Sequence, residues 1–259
     1  MPMTAFYFKS SARSADGLQR NGNEDSAFVS GRLIAVADGM GGHAGGEVAS
    51  RIAIKALQQL ASVLTNTEID SESVEDLFLN SIHTIDQNLN DYVSEVDEVR
   101  GMGTTLTALL MVEKHAALLH VGDSRCYRLR SNVLEQLSND HTVIQELLDQ
   151  GAITTADIAE HPQRSVLTQA LMGHGTVVPV LQLFEVKEKD RFLLCSDGLS
   201  SVLTEKEIKS LLKKSDSAEA VKALVEATYI NGAPDNVTVI VADISDSEIN
   251  SELLLGAAQ

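Results

Sequence analysis

Four aspartates sit where short apolar runs begin or end. Asp38 in VADG, Asp123 in HVGDS and Asp197 in CSDG follow such runs, and Asp235 in PDNV precedes one. A carboxylate at a strand end rests on rigid scaffold and projects into the loops beyond it. One Asp-Gly pair alone is an ordinary turn signal. Four such sites, in runs with few other polar groups, point instead to carboxylates gathered in one loop-lined cleft. Converging carboxylates without a Cys or His cage suit hard divalent cations, Mg²⁺ and Mn²⁺, which take oxygen ligands and keep several waters. A carboxylate shared by two ions about 3.5–4 Å apart lets the pair acidify a water and polarise a phosphoryl oxygen. Phosphomonoester hydrolysis is among the slowest uncatalysed reactions and needs help of that kind.

Two further segments add to this chemistry. Arg20 lies in GLQRNGNED, just ahead of Glu24 and Asp25. An arginine fork holds a phosphate through two parallel hydrogen bonds. The run GMGGHAGG, from Gly39 to Gly46, separates a strand signal from a helix signal. It lacks both the Gly-Lys-Ser/Thr ending and the G-x-G-x-x-G spacing of nucleotide loops. Its glycines let backbone approach a metal or phosphate closely. His43, whose imidazole titrates near neutrality, is a candidate general acid for the leaving alkoxide. A structural hydrogen bond within the loop is the competing reading for His43.

The elements that must position these groups follow from periodicity. Strands are expected at 33–37, 106–112, 116–121, 125–130, 133–137, 177–184, 191–195 and 237–244. Residues 113–115 and 131–132 read as turns between neighbouring strands. Apolar residues recurring every four positions mark helices at 47–64 and 73–96, with two more at 204–212 and 218–230. Thr204 and Glu207 have the spacing of a capping box. Two long helices interrupt the strands and two more precede the last one, which is not the βαβα alternation of a parallel sheet. It suits antiparallel sheets covered by helices, an α+β layered sandwich. Residues 139–176 are irregular, long enough to be a functional flap. From Asp246 onward the acidic sequence reads as a frayed tail or linker.

Composition bounds the partners. The 259 residues carry 37 acidic and 20 basic side chains, a net charge of −17. Such a surface repels DNA and anionic lipid, so neither nucleic acid nor membrane is an expected partner of this chain. Aromatics make up only 4% with no Trp, so the core must be aliphatic and Ala-rich. Cys126 and Cys195 both lie in apolar runs and read as buried thiols in a reducing compartment. No run approaches the roughly 18 apolar residues of a membrane span. The expectation is a cytoplasmic chain, with a membrane anchor beyond Gln259 left open.

The segments GLQRNGNEDS, VADGMGGHAGGEVAS, GMGTTLTAL, HVGDSRCYRL, SNDHT, CSDGLS and PDNVTVIV, in this order, resemble the type 2C family of metal-dependent protein Ser/Thr phosphatases in its bacterial form. The resemblance runs from about Ser11 to Ile244. It implies a four-layer α-β-β-α sandwich, with residues 1–245 as one catalytic domain. It implies hydrolysis of phosphoserine and phosphothreonine in proteins by a water bridging two Mn²⁺ or Mg²⁺ ions. Asp38 would bridge the ions and the Gly39 carbonyl would join the second. Asp197 and Asp235 would hold the first, while Asp25 and Glu24 would lie beside the second and act through waters. Asp123, shared with Asp197, resembles the ligand of a third, weaker ion, which Ser165 would reach. Arg20 would bind the substrate phosphate. His161 and Arg164 fall in the flap. The eukaryotic pattern places a His directly after Asp-Gly, whereas Met40-Gly41-Gly42 intervene here before His43. The implied partners are phosphoproteins, a Ser/Thr protein kinase among them, met by a monomer. Two rivals are a non-catalytic phosphoprotein-binding module and a metal nuclease or small phosphoester hydrolase. The complete carboxylate set opposes the first, and the missing basic stripe opposes a nuclease.

Overall fold

The computed structural model describes residues 5–41, 45–64 and 73–259. In chain order the elements are β1 (Tyr7–Ala15), β2 (Asp25–Val29), β3 (Leu33–Met40), α1 (Gly45–Leu64), α2 (Ser73–Glu95), β4 (Gly103–Thr104), β5 (Leu106–Val112) and β6 (His115–Val121). There follow β7 (Arg125–Arg130), β8 (Val133–Gln136), α3 (Val143–Asp149), β9 (Val180–Glu185), β10 (Arg191–Cys195), α4 (Asp197–Ser200), α5 (Glu205–Leu212), α6 (Ser217–Ile230), β11 (Val237–Ser245) and β12 (Leu253–Gly256). Single 3-10 turns occur at Asp97–Val99 and Thr155–Glu160.

The strands form two antiparallel sheets. One runs β1-β11-β10-β7-β8, and the other runs β12-β2-β3-β5-β6-β9 with β4 added beside β3. Strand β3 shows how the sequence builds the layers. Side chains alternate across a strand, so Ile34 and Val36 enter the core between the sheets, against Phe192 and Ile240. Leu33, Ala35 and Ala37 face the other way, onto Ala53, Leu57 and the rest of the α1–α2 layer. On the far side Leu193, Val239 and Val241 pack against α5 and α6 through Ile208, Leu212 and Leu224. The result is the four-layer α-β-β-α sandwich that the element order suggested. Small Ala side chains on α1 let it lie close to the sheet.

Local signals worked where they were strong. Thr204 and Glu207 form the capping box, with the Glu207 carboxylate accepting from the Thr204 amide at 2.9 Å. Ser131 and Asn132 both take positive φ, 47° and 68°, the conformation a two-residue hairpin turn demands. Cys126 and Cys195 are free and buried.

The expectation for the C-terminus needs correction. Residues 253–256 are not a frayed tail but strand β12, paired antiparallel with β2 from Leu253↔Val29 to Gly256↔Ser26. Beyond it, Ala258 is fully buried in the helix-side core. Strand β9 begins at Val180, three residues later than the apolar run, because Val177 packs onto the core before the chain joins the sheet edge.

Candidate metal centre

Sheet register creates the site. In the β2–β3 pair, Asp25 stands directly opposite Asp38. Residues opposite one another share a face, so two carboxylates are brought together where like charges repel. Asp38 is fixed through its backbone. Its amide donates to Thr105 Oγ1 at 2.9 Å, and its carbonyl accepts from the Thr105 amide at 2.9 Å and from Thr104 Oγ1 at 3.0 Å. Asp25 is held by its side chain, which accepts from Ser196 Oγ at 2.7 Å. Ser196 Oγ in turn accepts from the Thr238 amide at 3.0 Å, tying the two sheets together beneath the site. Ser196 also delivers Asp197, the first residue of α4. Gly39 and Gly46 pack backbone against backbone, and a Cβ on Gly39 would collide with the Gly46 carbonyl, so the loop start needs glycine there.

These strand ends surround a cleft of about 570 Å³ lined by Arg20, Glu24, Asp38, Gly39, Asp123, Ser165, Asp197 and Asp235, among others. The structure thus brings together most of the side chains singled out from the sequence. Asp25 lies beneath the cleft, only 1% exposed. His161 and Arg164 do not line it. They sit on a turn in which His161 Nδ1 accepts from the Gln163 amide at 3.2 Å. His43 lies outside the described residues.

The carboxylates crowd one another. Burial, followed by the charge of Asp197 and Asp235, pushes Asp25 up to about 7 against the pull of Ser196 and Thr238. Burial, Asp197 and Asp140 push Asp123 up to about 7. Asp38 stands well above the usual carboxylate range, first through burial and then through Asp25, Asp197 and Asp123. Asp197 is raised by burial and by Asp235, and it shares a hydrogen bond with Asp38. Arg20 and Arg125 are the cationic side chains that pull Asp197 back down. Arg20 Nη2 is itself engaged by Asp235 Oδ2 at 2.5 Å. Arg125 is engaged by Asp140, with Nε at 2.9 Å and Nη2 at 2.6 Å from Oδ2.

So much buried negative charge with so little compensation fits divalent cations, which would turn mutual repulsion into ligation. Among the described residues no three Asp, Glu, His or Cys side chains close into a ready-made cage. Mg²⁺ and Mn²⁺ do not need one, since they bind through one or two carboxylates and keep waters for the remaining positions.

Sequence reasoning missed the residues that hold the ligand candidates. Thr105 Oγ1 bonds Ser124 Oγ at 2.8 Å while receiving the Asp38 amide, which links the Asp38 and Asp123 loops. Ser196 and the Arg125–Asp140 pair were also overlooked. Each falls inside or beside a quoted segment (GMGTTLTAL, HVGDSRCYRL, SNDHT, CSDGLS), but nothing in spacing alone joins residues so far apart in the chain.

Two packed antiparallel sheets, helices on both outer faces and an acidic cleft at the strand ends define the class, an α-β-β-α sandwich with its carboxylates gathered at one end. Residues 19–234 match the sequence profile of Protein phosphatase 2C, and the chain belongs to that family. Over 249 residues it is 42% identical to the serine/threonine protein phosphatase PstP of Mycobacterium tuberculosis, a match covering 95% of this chain. The chain spans 47% of that protein's length, about half. It is 34% identical over 237 residues to the serine/threonine phosphatase stp of Listeria monocytogenes, covering 89% of this chain and 94% of that one. A crystal structure of the PstP catalytic domain in complex with two manganese ions superposes with a TM-score of 0.85 at 40% identity, covering 93% of this chain and 99% of that one. Among the described residues, no helix is long and apolar enough to cross a membrane.

Proposed function

We propose that this chain hydrolyses phosphoserine and phosphothreonine in proteins with the help of Mn²⁺ or Mg²⁺. The observation that carries the reading is Asp25 facing Asp38 across a strand pair, inside a cluster with too few cations to balance it. Bound divalent ions supply an acidified water and a polarised phosphoryl oxygen. Asp38 is assigned to both core ions, with the Gly39 carbonyl on the second and Asp197 and Asp235 on the first. Asp25 and Glu24 act beside the second ion. Asp123, with Asp197 and Ser165, is assigned to a third. Arg20 takes the phosphate, and His43 is the candidate proton donor to the leaving alkoxide.

The protein's own residues orient the substrate. Arg20 stands 47% exposed at the cleft mouth, where its fork can reach a phosphate on a protruding loop. The catalytic unit runs past residue 245 to include β12, and residues 139–176 form the flap. The chain acts in the cytoplasm as a monomer, opposing a Ser/Thr protein kinase. Phosphate release from a phosphothreonine protein tests the reading. Release should require a divalent cation and should exceed release from a nucleotide or DNA. A preference for either of those would overturn it.

A further inference from the structure

The segment SNDHT has no role in the chemistry so far, yet the structure puts its histidine at a junction. His141 clamps Gly122 twice. The His141 amide donates to the Gly122 carbonyl at 2.8 Å, and the Gly122 amide donates to His141 Nδ1 at 3.1 Å. Gly122 immediately precedes Asp123, a wall of the cleft. The His141 carbonyl accepts from the Thr168 amide at 2.8 Å. Thr168 lies on the returning stretch of the flap and lines the same cleft. A β-bridge between Thr142 and Leu167 continues that contact.

Both sides of the junction are otherwise firm. Gly122 has φ of 103°, and a Cβ there would lie 2.5 Å from Thr105 Cγ2, so the loop is pressed onto the residue that holds the Asp38 amide. The preceding residue, Asp140, is locked by the Arg125 fork. The buried ring of His120 lies 5.0 Å below the His141 ring and is anchored to the Asn139 carbonyl at 3.0 Å. Because a backbone amide can only donate, Nδ1 of His141 must be the acceptor and Nε2 must carry the hydrogen.

We propose that His141 is a positioning residue, whose ring nitrogen and backbone together hold the Asp123 loop and the flap stem in register. It touches neither substrate nor ion. Its effect on turnover rests on the phosphatase reading above, but its effect on the loop does not. Removing the ring leaves the Gly122 amide without its acceptor and loosens a residue that joins the Asp123 loop to the flap stem.

Backbone hydrogen exchange on the whole chain tests this in the parent and in His141→Ala, His141→Gln and His141→Asn. Asn places an oxygen near the Nδ1 position, whereas Gln reaches toward Nε2. The Ala and Gln variants should exchange about tenfold faster at Gly122 and Thr168, with amides of β5 unchanged. They should also lose about tenfold in kcat/KM on a phosphothreonine peptide, and Asn should restore both to within about threefold. Unchanged exchange at Gly122 in the Ala variant overturns the proposal, as does faster exchange spread evenly through β5. Should the Ala variant not fold, Asn and Gln decide between them, and equal behaviour of those two refutes the role. A parent without phosphatase activity would sink the functional reading while leaving the exchange result to stand or fall alone.

Discussion

Asp25 and Asp38 face each other across the β2–β3 pair, Asp25 buried and Asp38 half-buried at the cleft wall, with no cationic side chain among the described residues between them. A fold that needed only stability would not keep this arrangement. Asp38→Asn retains the shape and removes the repulsion. In chelator its unfolding midpoint should rise, by about 2–4 °C for each kcal/mol relieved. Phosphatase activity should fall by about a thousandfold or more, because a shared ligand is lost. Calorimetry and steady-state rates check the two halves. A variant that is both less stable and nearly fully active would remove the reason for the cluster.

The same crowding sets a pH dependence. Asp25 and Asp123 stand at about 7, against about 3.9 for an aspartate in an unfolded chain. Between those values the unfolded chain has released protons that the folded chain still holds. Stability therefore falls as pH rises through that window. Asp38 and Asp197 are raised in the same sense. His120, lowered to about 4 by burial and then by His141, opposes them, as does His141, lowered by its own burial. Four carboxyls outnumber two imidazoles. In chelator, the melting temperature should drop from about pH 4 to pH 7, and saturating Mn²⁺ should flatten or reverse the slope. A melting temperature that climbs over this range without metal contradicts the account.

Arg20 and Asp235 neutralise one another at 2.5 Å, with side chains 47% and 31% exposed. Exposed pairs contribute only about 0.2–1 kcal/mol. A cation taking Asp235 can therefore release Arg20 to a phosphate at small cost. Arg20→Ala should lower kcat/KM on a phosphothreonine peptide by about a hundredfold and barely change the melting temperature. Arg20→Lys should fall between, since it keeps the charge and loses the fork. A Lys variant equal to the parent would argue for simple charge attraction.

Strand β12 braces the site from its outer edge. Gly256 has φ of 64°, and any Cβ there would collide with the Asp25 carbonyl, which accepts from the Ala257 amide at 2.8 Å. Gly256→Val should lower the melting temperature by about 5 °C or more through backbone strain and that collision. Leu253→Ser, at a position 47% exposed, should leave it nearly unchanged. Thermal unfolding of the two variants side by side distinguishes a bracing strand from a loose tail, for which both would be silent.

The sequence revealed elements whose signal is local. Helix α1 shows in its four-residue repeat, β5 and β6 in their mostly apolar runs, and the turn at Ser131-Asn132 in its residue types. Strand β1 was missed because only some of its side chains enter the core and polar Lys9, Ser10 and Ser14 break the alternation. Strand β2 escaped because it is five residues long and opens on a functional aspartate. Strand β12 was hidden behind the acidic stretch before it. At the site, carboxylates at strand ends were legible because Asp-Gly after an apolar run is a local pattern. Thr105, Ser124, Ser196 and His141 were not, because these partners lie 19 or more residues away in the chain. Only the register of the folded sheets brings them together.

Divalent cations in this cleft are the centre of the account, and one comparison tests them directly. Phosphate release from a phosphothreonine peptide should be measured with Mn²⁺, with chelator, and with Mn²⁺ restored after chelation. Release is expected with Mn²⁺, should vanish in chelator, and should return when the metal does. Equal rates in all three would contradict it.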